Sequence, residues 1–176
     1  MLQFGGLGQG PPLFAFQFSP GKVRFKEEIS VCGPEALSLH SAHYDRRERA
    51  MYVFGGYVGN LAYKNDIYRL DLEKNPASWD LLDLSDQRKA SPGARGGHAS
   101  VILPKERKMI IHGGKDATFV NKDFWAFSWR DSYYQWTQLD FSDEYPSGRH
   151  GHGMVYSKEL ECIFIFGGSS SQAKAL

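Results

Sequence analysis

An apolar run that ends in two glycines occurs four times along the chain. The first glycines of these pairs are Gly5, Gly55, Gly113 and Gly167, so the intervals between pairs are 50, 58 and 54 residues. A period of this length, in a chain whose apolar runs are short, is typical of a repeat in which each copy forms one unit of several strands. The sequence therefore predicts an array of small β units, one per repeat.

Two further landmarks keep the same register in the repeats. In three copies a histidine precedes the first glycine of the pair by 15 residues, at His40, His98 and His152. Beyond the pair, two aromatic residues 11 positions apart recur as Phe14 and Phe25, Tyr68 and Trp79, and Trp125 and Trp136. Because both spacings are fixed while the loops between them vary in length, the repeat is a property of the fold and not a coincidence of composition.

Four strands are predicted in the best-preserved repeat, at about 97–103, 108–113, 123–129 and 134–141. Turn-forming residues separate them, as in Pro104-Lys105-Glu106-Arg107. The second strand of each repeat is apolar throughout instead of alternating, which predicts burial of both its faces. No segment shows a convincing helical period, so we expect essentially no helix.

The best-preserved repeat resembles the kelch repeat. Its Arg95-Gly96-Gly97-His98 is followed by Ile110–Gly114, Asp123–Trp125 and Trp136. The resemblance covers nearly the whole chain, although Pro12 and Phe25 replace an Asp and a Trp in the first copy and Leu37 replaces the opening Arg of the second. It implies an all-β fold built of kelch-type β-propeller blades, each of four antiparallel strands.

The same resemblance divides the chain into a single partial kelch propeller over 1–176. Its expected parts are a partial blade at 1–30, full blades at 37–84 and 95–141, a partial blade at 149–168 and a loose tail at 169–176. These make about three and a quarter blades, and the ring is incomplete because both ends carry the Gly-Gly strand. We expect further kelch blades and other domains in the full-length protein.

Charge and cysteine content argue against several classes of protein. The formal net charge is +1, so neither a nucleic acid nor a membrane is expected as a partner. Cys32 and Cys162 are too few for a disulfide framework. No apolar run reaches the ~18 residues of a membrane-spanning helix, and residues 1–10 lack a secretory signal. We therefore expect a cytoplasmic protein without a cofactor.

The recurring glycines and tryptophans are interpreted as structural. Glycine allows a sharp strand exit, and a phosphate cradle is disfavoured because no helix follows the pairs. Large rings on third and fourth strands fill the space between blades, with sugar stacking as the alternative. The structural set is Gly55, Gly56, Gly113, Gly114, Gly167, Gly168, Trp79, Trp125 and Trp136.

The three recurring histidines are also interpreted as structural. They could converge on a metal, but equivalent positions are one blade apart, which is too far for a shared zinc ion. We expect each to pack or hydrogen-bond within its own blade, and no metal site. Arg95 and Arg149, with Glu48 and Glu106, are expected to make polar contacts within their own repeats.

One rim of the array is the candidate binding surface. The loops 57–64, 84–95, 115–122 and 142–149 all lie there, and variable loops on a rigid scaffold are where binding usually resides. Aromatic and basic residues in these loops are favoured interface anchors and give the rim a basic character. The predicted partner-binding residues are Tyr57, Tyr63, Lys64, Lys115, Phe119, Lys122, Tyr145 and Arg149, with Arg88 and Lys89 beside them.

The leading hypothesis is a non-catalytic scaffold that binds a protein or peptide, possibly an acidic one, through this rim. The alternative is part of a kelch-like propeller enzyme or sugar-binding domain whose active residues lie outside this fragment. A purely structural role within a larger protein is the third possibility. No Ser/His/Asp or Cys/His set recurs with catalytic logic, so we expect no catalytic residues and no enzyme activity.

Overall fold

The computed structural model describes residues 2–3, 13–29, 33–34, 36–59, 62–84, 90–130, 133–141 and 146–170. Every regular element in these ranges is a β-strand, as the sequence predicted, and none of their segments forms a helix able to cross a bilayer. The strands are β1 (Leu2–Gln3), β2 (Leu13–Ser19), β3 (Lys22–Ile29), β4 (Ser41–Asp45), β5 (Ala50–Val58), β6 (Ala62–Asp71), β7 (Ser78–Leu81), β8 (Ala99–Leu103), β9 (Lys108–His112), β10 (Phe124–Arg130), β11 (Tyr133–Leu139), β12 (Gly153–Ser157) and β13 (Cys162–Phe166).

These strands form four antiparallel sheets in which neighbours in space are neighbours in sequence. The sheets β4–β7 and β8–β11 each have four strands. The sheet β1–β3 precedes them with three strands, and the sheet β12–β13 follows with two. The arrangement is open, which confirms the predicted all-β fold of four-stranded antiparallel blades in an incomplete ring. The boundaries assigned to each blade and to the tail stay predictions.

The central strand β5 is buried on both faces because its alternate side chains enter different cores. Tyr52 and Phe54 pack toward the sheet β8–β11, whereas Met51 and Val53 pack with Leu13 of the sheet β1–β3. None of these five side chains is more than 4% exposed. Two-sided burial requires a continuously apolar strand, and the prediction for this strand is confirmed.

Each boundary between neighbouring sheets, called a joint below, is filled by one apolar cluster. The first joint, between β1–β3 and β4–β7, contains Leu13, Leu37, Met51, Val53 and Leu70. The second, between β4–β7 and β8–β11, contains Tyr52, Phe54, Met109, Ile111, Phe127, Trp129 and Trp136. The third, between β8–β11 and β12–β13, contains Val101, Ile110, Phe124 and Ala126 with Met154, Ile163 and Ile165. Each large side chain buried there contributes about 1.5–3 kcal/mol.

The last strand, β13, departs from the predicted two-sided burial. Ile163 and Ile165 pack into the third joint, but Phe164 is 49% and Phe166 is 86% exposed. The prediction is wrong here because no described sheet covers the other face. Val155 of β12 lies on that face as well and is also exposed.

The aromatic pairs differ in how deeply they are buried. Trp125 and Trp136 are buried edge-to-face against each other, with ring centroids 6.5 Å apart. Trp79 is only half-buried, on the edge strand β7. Phe25 was expected in the core but is 58% exposed, because its ring packs on Phe14 and Phe16 of its own sheet and not on a neighbouring one.

Candidate functional site

The Gly-Gly pairs lie where neighbouring sheets touch through their backbones. Gly55 has a φ of +63°, and a Cβ there would lie 2.8 Å from the carbonyl oxygen of Arg95. The N–H of Gly56 donates to that same carbonyl at 2.8 Å, and Gly114 makes the equivalent bond to Arg149 at 2.9 Å. Glycine is required at this position by both the left-handed backbone and the close approach. No helix follows either pair in the described chain.

Arg95 holds the end of the second joint from within its own sheet. Its guanidinium is buried, donates to both carboxylate oxygens of Asp123 at 2.6 and 2.9 Å, and also donates to the carbonyl of Gly113 at 3.0 Å. Burial alone would raise the pKa of Asp123, but the hydrogen bonds and charge of Arg95 lower it below its usual value. Arg149 repeats part of this contact, donating to the carbonyl of Gly167 at 3.1 Å. Both contacts are internal to their repeats, as expected, but the expectation was wrong for Glu48, whose carboxylate also pairs with Arg107 of the next repeat.

The histidines bridge neighbouring sheets instead of bonding within their own. His98 shares a hydrogen bond of 2.8 Å with Ser41 across the second joint, and His152 shares one of 3.0 Å with His112 across the third. The expectation of contacts within one blade was wrong for His98 and His152, because each stands just before a first strand and faces the preceding sheet. In the described part of the chain, no cluster of three or more potential metal ligands occurs.

Burial keeps these imidazoles neutral. It lowers the pKa of His98 from 6.5 to about 3, with the charge of Arg95 adding to the effect. It also lowers the pKa of His112 and His152 from 6.5 to about 4, with like charges nearby adding to the effect. These histidines therefore act as uncharged hydrogen-bonding groups, His98 with Ser41 and His112 with His152.

The first rim element is a hairpin and not the loop that was predicted. Tyr57 is the next-to-last residue of β5, and Tyr63 and Lys64 are the second and third residues of β6. Tyr57 pairs with Tyr63 in the strand register, and their ring centroids lie 5.1 Å apart. The predicted loop 57–64 was too long because the ladder resumes beyond the irregularity at Gly55. The two tyrosines therefore lie on paired strands that extend beyond Gly55.

The second rim element is a tight turn that presents one aromatic side chain. The carboxylate of Asp116 accepts the N–H groups of Thr118 and Phe119 at 2.6 and 2.7 Å, and a bridge joins Lys115 to Val120 at its base. The side chain of Phe119 is 67% exposed. Because three local contacts fix its backbone, this exposed ring leaves the surface from a fixed point.

The structure brings most of the predicted rim residues to one end of the sheets. They lie on the connections between second and third strands or in the strand residues next to them: Tyr57, Tyr63, Lys64, Lys115, Phe119 and Lys122. Arg149 lies there as well but is occupied with Gly167 and Ser147. Tyr145, Arg88 and Lys89 fall outside the described residues.

The rim charge is mixed. Lys64 and Lys115 have no carboxylate at ion-pair distance among the described residues. Asp116 lies near Tyr63, whose pKa is raised by burial and then by Tyr57 and Asp116. The rim therefore combines Lys64 and Lys115, for which the described residues supply no ion-pair partner, with the nearby carboxylate of Asp116.

Sequence reasoning missed Leu39, which lies beside the tyrosines. Its φ is +58°, and its side chain is 54% exposed. The signal was present in the alignment of repeats, because the residue immediately before the recurring histidine is Gly97 or Gly151 in the other two copies. A leucine at a glycine position marks a local strain.

A cavity of about 500 Å³ opens beside β8 and β12, at the opposite end of these strands from the rim. Its walls are mostly apolar, including Val101, Ile102, Met154 and Val155. The polar groups around it are His43, Ser100 and side chains of the turns, and His43 is bonded to Ser100 at 2.7 Å. His43 and Ser100 have the contact of a base and a nucleophile, but burial lowers the pKa of His43 from 6.5 to about 4, which makes it a weak general base at neutral pH.

Comparison with known proteins gives a consistent result. The model of the KLHDC2/KLHL20/DRC7 kelch-repeats domain matches residues 3–175. Tip elongation aberrant protein 1 of Schizosaccharomyces pombe is 28% identical over 128 residues, which is 71% of this chain and 10% of that protein. An F-box/kelch-repeat protein of Arabidopsis thaliana is 29% identical over 94 residues, 52% of this chain and 19% of that protein. The chain thus spans a fifth or less of these relatives.

Proposed function

Because the chain belongs to the kelch-repeat domain family, we propose that it is a non-catalytic scaffold that binds a partner protein or peptide through one rim of its sheets. Kelch-repeat domains are generally protein-interaction modules, and the relatives of this family are typically non-catalytic. The proposal adds which surface binds and which residues carry the binding.

The observation that carries the proposal is the turn that holds Phe119. An exposed aromatic ring on a backbone fixed by Asp116 loses little conformational entropy on binding. Aromatic side chains held in this way are frequent anchors of protein interfaces. The paired Tyr57 and Tyr63 on the neighbouring hairpin extend the same surface.

The proposed partner is acidic where it meets the rim. Lys64 and Lys115 carry charges that no described carboxylate neutralises, and Lys122 is exposed nearby. Such charges raise the association rate more than the affinity, and salt weakens the effect within a Debye length of about 8 Å. Phosphorylated segments would satisfy the same charges.

The alternative is an enzyme or sugar-binding domain, and the cavity beside β8 and β12 is the feature that favours it. Its walls are mostly apolar, and burial lowers the pKa of His43, which is bonded to Ser100 there, from 6.5 to about 4, so His43 would be a weak base at neutral pH. We therefore favour the scaffold. We also propose further kelch blades in the full-length protein, since the chain covers only part of its relatives. We propose a cytoplasmic location as well, which the low cysteine content supports.

Quantitative pull-down with the full-length protein tests the proposal. The double variant K115E/K122E reverses two rim charges, and F119A removes the exposed ring. The matched control K105E/K158E makes the same charge change at the opposite end of the strands. Arg149 is left intact because it supports the backbone of its own repeat.

We expect acidic partners to be lost from K115E/K122E and kept by K105E/K158E, with weaker recovery of the same partners by F119A. Equal recovery by all variants would refute binding at this rim. If only F119A loses its partners, binding at the rim would stand, but the proposed preference for acidic partners would be refuted.

A further inference from the structure

The first and the last sheet each present an apolar face that no described sheet covers. The C face lies on β12, β13 and the turn between them and consists of Val155, Leu160, Cys162, Phe164 and Phe166. The N face lies on the sheet β1–β3 and consists of Phe16, Phe18, Val23 and Phe25. Phe166 is 86% exposed and Phe25 is 58% exposed. Clustered apolar side chains at a protein surface mark a site of interaction.

The C face is equivalent to a face that is fully covered elsewhere in the chain. Phe164 and Phe166 precede their glycine pair as Tyr52 and Phe54 precede theirs. Tyr52 and Phe54 are 0% exposed because the sheet β8–β11 packs on them in the second joint. The C face is therefore one half of a joint.

The N face is equivalent to the half that does the covering. Phe16 lies opposite Phe25 across β2 and β3, as Phe127 lies opposite Trp136 across β10 and β11. The ring centroids are 5.9 Å apart in the first pair and 5.1 Å apart in the second. In the second joint Trp136 packs on Phe54, with ring centroids 4.7 Å apart. The N face therefore carries the aromatic side chains that such a joint requires.

The two faces also differ from the second joint in a matched way. There the indole N–H of Trp129 donates to the carboxylate of Asp45. Phe18 stands at the position of Trp129, and Ser157 stands at that of Asp45. The donor is absent from the N face and the carboxylate acceptor is absent beside the C face, so neither face leaves a buried group without its partner. This agreement favours the N face over an unrelated sheet as the occupant.

The C face has lost a second polar pair. The Tyr52 hydroxyl donates to the carboxylate of Glu48 at 2.5 Å in the second joint. Phe164 and Leu160 occupy these two positions, so an apolar partner covers the C face without desolvating a hydroxyl or a carboxylate there.

We propose that the C face of one copy of this chain docks on the N face of a second copy, head to tail, in a joint like the second joint. Phe166 of one copy packs on Phe25 of the other, and Phe164 packs on Phe18, as Tyr52 packs on Trp129. Each copy contributes four sheets, so two copies reach the upper end of the range of about four to eight blades at which propellers close. A closed dimer then contains two such joints. The association does not use the rim and is independent of the proposed function.

Two variants each block one face. Phe166→Lys places a charge on the C face, and Phe25→Asp places one on the N face. Both side chains are more than half exposed, so at dilution both variants should keep the unfolding midpoint of the unmodified chain. Leu81→Lys is the matched control, because Leu81 is also 58% exposed but lies on β7 of an internal sheet.

Sedimentation velocity over a concentration series measures the association. The unmodified chain and Leu81→Lys should form dimers, whereas Phe166→Lys alone and Phe25→Asp alone should associate at least about tenfold more weakly. An equimolar mixture of the two face variants should restore dimers. In the mixture, the intact C face of Phe25→Asp meets the intact N face of Phe166→Lys, which only a head-to-tail joint allows.

Cys162 supplies a second readout of the same joint. It is exposed in one copy, but it stands at the position of Ala50, which is 0% exposed in the second joint. Alkylation at Cys162, followed by peptide mass spectrometry, should slow as the concentration of the unmodified chain rises. It should stay fast in Phe166→Lys.

Three outcomes would overturn this inference, and all three leave binding at the rim untouched. The first is a chain that stays monomeric across the series. The second is association of Phe25→Asp alone as tight as that of the unmodified chain, which would mean that two C faces meet. The third is a monomeric full-length protein in which Cys162 is protected at every concentration, which would mean that a further blade of the same polypeptide is the occupant.

Discussion

Trp129 donates its indole N–H to a buried carboxylate oxygen of Asp45 at 2.6 Å, across the second joint and 84 residues along the chain. The other oxygen of Asp45 accepts the N–H of Arg47 at 2.8 Å and so closes the turn after β4. Trp129 also stacks on Tyr52, with ring centroids 4.6 Å apart. One carboxylate therefore fixes a turn in one sheet and aligns the neighbouring sheet against it.

Replacing Asp45 by alanine should destabilise the chain by about 1–3 kcal/mol, because the indole N–H of Trp129 would be left buried without an acceptor. Asp45→Asn retains an acceptor and should cost less. Urea titration followed by tryptophan fluorescence measures both. The control is Asp80→Asn, whose carboxylate is half-exposed and makes only long ion pairs. A loss below about 0.5 kcal/mol for Asp45→Ala would show that water replaces the lost acceptor.

The two equivalent tryptophans should differ in their contribution to stability. Trp136→Ala should cost about 3–5 kcal/mol, since this ring is 2% exposed and packs on Phe54 and Phe127. Trp79→Ala should cost less, because Trp79 is only half-buried on an edge strand. Denaturant titration of both variants gives the comparison. Equal losses would mean that Trp79 is covered in solution.

Two equivalent glycines should respond differently to alanine. Gly167→Ala should cost about 1–2 kcal/mol, the penalty for a left-handed backbone at φ +77°, because nothing lies within 4 Å of the added Cβ. Gly113→Ala should cost a further 1–3 kcal/mol, roughly the effect of overpacking, because its Cβ would collide with the carbonyl of Arg149. Thermal unfolding of both variants tests this. Identical losses would indicate that the third joint is not formed.

Stability should fall on acidification well before the carboxylates titrate. Burial lowers the pKa of His43, His112 and His152 from 6.5 to about 4 and that of His98 to about 3. The unfolded chain therefore binds more protons below pH 6.5, and the free energy of unfolding declines as pH falls from 6.5 toward 4. The lowered pKa of Asp71 and Asp123 adds a loss only below about 3.8.

Denaturant titrations at pH 7.5, 6 and 5 measure this decline. His112→Phe is the informative variant, because Phe54 and Phe166 stand at the equivalent position before their glycine pairs. It removes one depressed histidine, so its stability should depend less on pH over this range. An unfolding free energy that does not change between pH 7.5 and 5 would contradict neutral burial of these imidazoles.

The sequence predicted features that recur within one repeat. The Gly-Gly pairs, the recurring histidines and the continuously apolar β5 and β9 all repeat at short range, so internal alignment found them. The contacts across joints were not predicted, because His98 meets Ser41 and Trp129 meets Asp45 over separations of 57 and 84 residues. Aligned repeats show which residues are equivalent but not which residue of the next sheet each one touches.

The candidate site was predicted only in part for a related reason. Tyr57, Tyr63 and Phe119 stood out because no other repeat has an aromatic residue at their positions. Leu39 did not, because an apolar residue in a short connection is unremarkable until its φ is known.

The chain of backbone bonds from Leu39 to Gly97 to Gly151 links each sheet only to its immediate neighbour. The apolar clusters follow the same rule, since each is confined to one joint. Cooperativity in such a molecule is transmitted step by step, and its melting resembles that of a one-dimensional lattice more than that of a single core. A substitution that removes the Phe54 ring would weaken the second joint. The sheets on its two sides would then unfold in separate transitions, while the interior of each sheet kept its own stability.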